Sequence, residues 1–446
     1  MLKSPSCTRI FMALAPVDMR RSFMLRPIRT HWVLARSGDL KCCKLRWGPQ
    51  GVQEERDGLF KSIAQNVVIV TLAGLSFYCS AMVWASVRPA DREVTGKPRI
   101  NAIKALNGAL LVTISSPSAG AEIFYTLDDG VPSARSTPYE APFLISSSRT
   151  VRAIAKAQGE QISGEATREF RLNVPHGALV WSEEFNEGVG ARRRVRPDPE
   201  LWRYNVGADT NHSVGVLCAY NSSVAPCEKE APNSYVGTDG DLHVVAQQPV
   251  PGVYTSANLD TRGKFSFRYG RLEARIWVPE GQGIWPAFWL LGNDVGTVGW
   301  PACGEVDIME RIDRAGRPPG QGGAMVPAGV SDWNKGSIHG RGFTGDAIGG
   351  FYYFHGGATA AGWHTYGIIK TRGAIEFYVD DASHPYAKFT PQSIAEFPGG
   401  VWPFDNGQSF FIILNIAVGG DWPGEPNAST PFPAAMRVDY IRLYKN

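Results

Sequence analysis

The chain is expected to be all-β, with a small β-sandwich ahead of a much larger sandwich or jelly roll. Composition points that way, with 49 Gly, 31 Pro and 13 Trp in 446 residues, as in proteins of many short strands and tight turns. Patterning agrees: apolar residues recur at alternate positions in short runs, and no long amphipathic helix is evident beyond short turns near Pro391 to Phe397.

Residues 1–60 carry 11 Lys/Arg against 5 Asp/Glu, so with +3 overall the remainder is net acidic. That argues against nucleic acid as a partner. This basic stretch has no clear periodicity, and we expect it to lie outside the natural chain, ahead of the true start. Residues 61–87 hold "NVVIVTLAGLSFYCSAMVWASV", with no charge between Lys61 and Arg88. The run has the length of a membrane anchor and the pattern of a signal peptide, with Val83 to Ala85 as its small-residue cleavage site. The signal is the favoured expectation, and with it export to the cell envelope or beyond.

Residues 96–173 read as the small sandwich. "ALLVTISSP", "AEIFYTLDDGVP" and "RTVRAIAKAQG" alternate apolar positions between Gly, Pro, Asp and Ser turns. Tyr125 and Tyr139 are expected in its core or turns. "NVPHG", Asn173 to Gly177, reads as a linker, and residues 178–446 as the large sandwich. Of the seven cysteines none forms a zinc pattern; Cys218 and Cys227 are close enough in sequence to bridge in an exported protein.

"GEVDIMERI", Gly304 to Ile312, crowds three carboxylates onto an otherwise apolar strand. Alternation puts Glu305 and Asp307 on one face and Glu310 on the other. One extra residue, a bulge around Ile308–Met309 with Met309 as the inserted residue, returns Glu310 to the face of the other two. Three acids on one face suit glycoside hydrolysis, in which a nucleophile and a general acid/base stand about 5–5.5 Å apart when configuration is retained. Mutual repulsion raises the pKa of the carboxyl that must begin protonated. The plain alternative is a solvated face paired to Arg311 or Arg314.

Trp285, Trp289, Trp300, Trp402 and Trp422 flank this strand in sequence. Indole faces stack on the C–H faces of sugars, and Trp285 and Trp289 share a strand face.

"WPACGEVDIME" resembles the active-site strand of glycoside hydrolase family 16, in its laminarinase (endo-β-1,3-glucanase) branch. "VWSEEFN", "YTSANLDTRGKFSFRYGRLEARI", "GIWPAFWLLG", "IEFYVDD", "FFIILNIAVGGDWPG" and "MRVDYIRLY" follow in the family's order across 178–446. The segment from Ile123 to Ala155 resembles the small β-domain at the C-terminus of chitobiase-type enzymes. The resemblance implies a concanavalin-like jelly roll behind an immunoglobulin-like sandwich. It implies Glu305 as nucleophile, Asp307 as assisting carboxylate and Glu310 as acid/base, with Trp285, Trp289, Trp300, His339 and Trp422 contacting sugar. Catalysis would need no cofactor. A structural calcium is implied at Glu184, Gly240 and Asp439, where oxygen ligands suit the ion. The family's Asn-Asn-Glu-Leu-Gln-like segment is not recognisable between Asn211 and Gly237, which leaves subsite number open.

The resulting expectation is a secreted, monomeric retaining endo-glycosidase acting on β-1,3-glucan or mixed-linkage β-glucan. Two alternatives stand beside it: another polysaccharide (lichenan, agar, carrageenan, xyloglucan), or a noncatalytic β-glucan-binding recognition protein. Relatives of the last kind lose the glutamates, which are present here.

Overall fold

Two largely antiparallel layers dominate the larger part of the chain, with Gly215–Leu217 running parallel beside Val253–Ser256. In this computed structural model the described residues are 92–191, 193–209, 213–313, 333–345, 347–354 and 362–446. The expectations for 1–60 and for the apolar stretch 61–87 fall outside them. The described residues all belong to one unit, Val87–Asn446.

One layer has seven strands in the order Gly349–Tyr353, Trp333–His339, Glu305–Glu310, Ile284–Gly292, Phe410–Val418, Asn258–Asp260 and Arg203–Asn205. The other has eleven, built around Ala434–Tyr444 paired with Gly270–Trp277 on one side and Leu242–Val250 on the other. Alternation makes the sandwich. Along Ile284–Gly292, Ile284, Phe288 and Leu290 are fully buried and meet Leu272, Ala274, Ile276, Ile368 and Ile441 of the opposite layer in one core cluster. Each such side chain contributes about 1.5–3 kcal/mol by leaving water. The other face of the same strand, Trp285, Ala287, Trp289 and Leu291, lines a cavity. Period-2 patterning thus divides one strand between stability and chemistry. The fold is the all-β double sandwich that the sequence predicts; its helices, among the described residues, are single turns such as Val295–Val298 and Pro391–Ile394.

The small sandwich sets a three-stranded sheet (Arg99–Lys104, Leu110–Ser115, Phe143–Ile145) against a four-stranded one built on Ser147–Lys156. Tyr125 is buried in its core and stacks on Phe143 at 4.8 Å, with Tyr139 edge-on to the same ring. Both tyrosines pack, as expected.

The linker expectation needs correcting. Val174 is 3% exposed and belongs to the large core cluster together with Ala109 of the small sandwich. The Gly177 N–H donates to the Lys445 carbonyl at 2.8 Å. An apolar residue inside "NVPHG" finds a hollow to fill, so the segment packs rather than swings. Elsewhere the Leu144 N–H donates to the Ser266 carbonyl, and the Ser266 hydroxyl donates to that of Pro142. Cys218 and Cys227 are bridged, closing the loop expected from their spacing.

Candidate active site

The strand Glu305–Glu310 carries the bulge expected of it, one residue earlier than predicted. Against Ile284–Gly292, Phe288 pairs with Met309 and Trp289 with Asp307, which leaves Ile308 without a partner. Against Trp333–His339, Asp307 pairs with Ser337 and Glu310 with Lys335, so Ile308 and Met309 together oppose Gly336. Both apolar residues are fully buried in the core. Met309 therefore keeps regular pairing and Ile308 is the inserted residue. Two successive side chains turn inward, and Glu305, Asp307 and Glu310 all emerge on the other face.

They line a cavity of about 680 Å³ together with Trp285, Trp289, Trp300, Trp422 and His339, every sugar-contact residue expected from sequence. Three of these indoles are tied into the floor. Trp300 Nε1 donates to Glu305 Oε2 at 2.8 Å, Trp285 Nε1 to Glu310 Oε1 at 3.1 Å, and Trp289 Nε1 to Asn415 Oδ1 at 2.7 Å. Trp422 packs edge-to-face on Trp285 at 4.9 Å. Trp402 instead donates to Asp405, next to the core, and is not in the cavity wall.

His339 Nε2 lies 2.8 Å from Asp307 Oδ2 and 3.7 Å from Glu305 Oε1. Burial alone would favour the neutral ring, but Asp307 and the two glutamates outweigh it and raise its pKa to about 9. The surrounding carboxylates thus favour the imidazolium form of His339. Burial likewise pushes Asp307 up, yet the imidazolium and the hydrogen bonds from His339 and Ser337 hold it below the usual carboxylate range. Asp307 is the fixed anion of the group.

Burial and the Asp307 charge raise Glu305 well above its ordinary value and Glu310 to about 7. Two buried carboxyls beside a third do not both ionise at neutral pH; they titrate as a pair that retains a proton. The two glutamates differ in their hydrogen-bonding neighbours. Ser337 Oγ is 2.8 Å from Asp307 Oδ2 and 3.3 Å from Glu310 Oε2. Its single proton serves the Asp307 anion, which leaves an oxygen lone pair to accept a proton from Glu310. Ser337 thus offers Glu310 an acceptor for a proton. Glu305 accepts from the Trp300 N–H and lies 3.7 Å from His339, with the Asp307 and Glu310 charges opposing its ionisation. Glu310 accepts from the Trp285 N–H and feels the Lys335 ammonium.

Sequence reasoning missed Ser337, Lys335 and the asparagines Asn258 and Asn415, although Lys335 and both asparagines line the cavity. The signal for the first two was present: Lys335 and Ser337 precede His339 by four and two, on the same strand face. Lys335 is 5% exposed, and its ammonium lies 5.0 Å over the Trp422 ring.

The calcium expectation does not fit the residues as placed. Glu184 receives both Nε and Nη2 of Arg442, at 2.9 and 2.8 Å, and Asp439 receives Arg275 Nη1 at 2.7 Å. Beside Gly240, Asp239 and Asp241 both accept from Arg437. Guanidinium groups neutralise the acids that would have served the ion.

Three carboxyls face one indole-walled cavity, two of them raised in pKa and the third, Asp307, held below the usual range. The model of glycosyl hydrolases family 16 matches residues 223–442, and that described as Fn3 associated matches residues 112–170 of the small sandwich. The beta-glucanase of Rhodothermus marinus is 36% identical over 282 residues, covering 61% of this chain and 86% of that protein. Glucan endo-1,3-beta-glucosidase A1 of Niallia circulans is 33% identical, over 60% of this chain and 38% of that one. The crystal structure of the laminarinase catalytic domain of Thermotoga maritima superposes with a TM-score of 0.49 at 35% identity, over 61% of this chain and 99% of that domain. The chain belongs to glycosyl hydrolase family 16, and it is a glycoside hydrolase.

Proposed function

We propose that this protein is an exported, retaining endo-glycosidase that hydrolyses β-1,3-glucan or mixed-linkage β-glucan. The observation that carries the reading is the cavity that gathers Glu305, Asp307 and Glu310 among the indoles of Trp285, Trp289, Trp300 and Trp422, with Ser337 placed to accept a proton from Glu310. Glu305 attacks the anomeric carbon while Glu310 protonates the departing oxygen. Glu310, now a base, deprotonates the water that releases the covalent glycosyl-enzyme, and both groups return to their starting state. Asp307 keeps the His339 imidazolium in place and holds the glutamates' pKa values up. The indoles of Trp285, Trp289, Trp300 and Trp422 offer stacking faces for glucosyl rings. No step requires a metal or an organic cofactor. The polymer is supported by the 1,3-glucanase names of the relatives. Export is supported by the apolar stretch 61–87 and by the Cys218–Cys227 bridge, a bond typical of oxidising compartments.

Reducing-end release from laminarin, lichenan, agarose and xyloglucan tests the reading, with Glu305→Gln beside the native protein. Rapid release from laminarin that disappears in the variant is the expected result. Release only from another polymer would keep the chemistry and overturn the substrate; glucan binding without release would leave a recognition protein.

A further inference from the structure

Where the two sandwiches meet, a groove of about 680 Å³ is walled by both. Thr137, Tyr139 and Glu140 stand on the small-sandwich side, with Asp294, Asn406 and Gln408 opposite. Its polar groups converge as they do in a ligand site, and domain junctions are where such sites concentrate. Asp294 is only 4% exposed, yet its Oδ1 meets no donor from another residue. Its Oδ2 is 3.5 Å from Asn406 Nδ2. That oxygen is itself closed off from solvent, so Asp294 forms part of the groove's wall and the hydrogen-bonding groups on offer to a ligand come from its neighbours.

The chemistry of the walls narrows the occupant. Carboxylates (Glu122, Glu140, Asp294) outnumber the single cation, Arg135, which disfavours a sulfated or carboxylated chain. Amides and hydroxyls both donate and accept, matching sugar hydroxyls that do the same. Phe124 and Tyr139 add ring surface for C–H faces. An uncharged glycan satisfies all three features.

Position links the groove to the catalytic cavity. The turn Val295–Val298 contributes Thr297 and Val298 to the groove, and two residues further on Trp300 lines the cavity and donates to Glu305. Two peptide steps span less than about 8 Å. A polymer lying over Trp300 therefore has the groove within reach.

We propose that the groove between the two sandwiches is an outlying glycan-binding subsite, which holds the uncharged glucan strand where it leaves the catalytic cavity. The small sandwich thereby belongs to the substrate site. This rests on the glucanase reading above and extends it.

The test compares KM and kcat on long β-1,3-glucan with those on a short β-1,3-oligosaccharide that fits within the cavity. The full-length native protein is set beside Asn406→Ala and Glu140→Arg. Asn406→Ala removes a hydrogen-bonding group; Glu140→Arg puts a guanidinium opposite Asp294 and closes the groove. Both should raise KM for the polymer about fivefold, the equivalent of one hydrogen bond, with kcat and the short substrate unchanged. An unchanged polymer KM in both variants would overturn the proposal. So would a parallel loss on both substrates, which marks a structural effect. A native protein inactive on both would instead overturn the glucanase reading, and this subsite with it.

Discussion

Glu310 and Lys335 pair across neighbouring strands, and in the proposed mechanism their interaction sets the upper pH limit of the reaction. Burial and Asp307 raise Glu310 to about 7, while the Lys335 ammonium works against them. Glu310 must be protonated to act first as an acid, so kcat/KM falls as pH rises through about 7. Lys335→Met removes the opposing charge and raises the Glu310 pKa further. The alkaline limb of the pH profile should then move to higher pH; a limb that stays in place would contradict the pairing. Glu305→Gln should lower kcat by at least about 10³-fold without unfolding the protein, since it removes the attacking oxygen. The acids were legible in the sequence because three carboxylates crowd an otherwise apolar strand. The plain alternative of a solvated face gives way because Asp307 and Glu310 are buried and Arg311 pairs with Glu280 and Asp313. The acceptor for the Glu310 proton was not, because it is a serine hydroxyl from the neighbouring strand. The partners of the acids expected at a calcium were hidden for a similar reason: sequence alone gave no sign that Arg442 and Arg275 would pair with Glu184 and Asp439.

At the scale of the strand, the bulge is what assembles the site. Ile308 shifts the register, so that Glu310 faces the cavity instead of the core. Deleting Ile308 should turn Glu310 inward and abolish hydrolysis while the flanking strands still pair. Hydrolysis retained in that deletion would show that another carboxyl is the acid. Opposite the bulge, a Cβ on Gly336 would stand 2.5 Å from Phe377 Cδ1 and from the Tyr386 hydroxyl. Gly336→Ala should therefore destabilise by about 1–3 kcal/mol, the usual cost of overpacking, measurable as a lowered denaturant midpoint. Alternation made the faces of Ile284–Gly292 readable in advance. The identity of the inserted residue was not readable, because Ile308 and Met309 are equally apolar and only the partner strands choose between them.

For the whole molecule, the two-sandwich plan followed from turn spacing and period-2 runs, but the junction did not. "NVPHG" has the composition of a linker, and Val174 reveals its role only when Ala109 and the large core lie beside it. The loop closed by Cys218 and Cys227 sits outside the acid cavity. Replacing both cysteines by serine should cost about 2–3 kcal/mol, mainly by freeing the unfolded chain, and leave hydrolysis intact; a lost activity would place that loop in the substrate path. The proposed retaining hydrolysis of β-1,3-glucan by Glu305 and Glu310 can be read out by following laminarin digestion with proton NMR and identifying the first-formed reducing end. Double displacement predicts the β-anomer first, with the α-anomer growing in only by mutarotation. An α-anomer formed first would mean single displacement and would contradict the assignment of Glu305 as nucleophile.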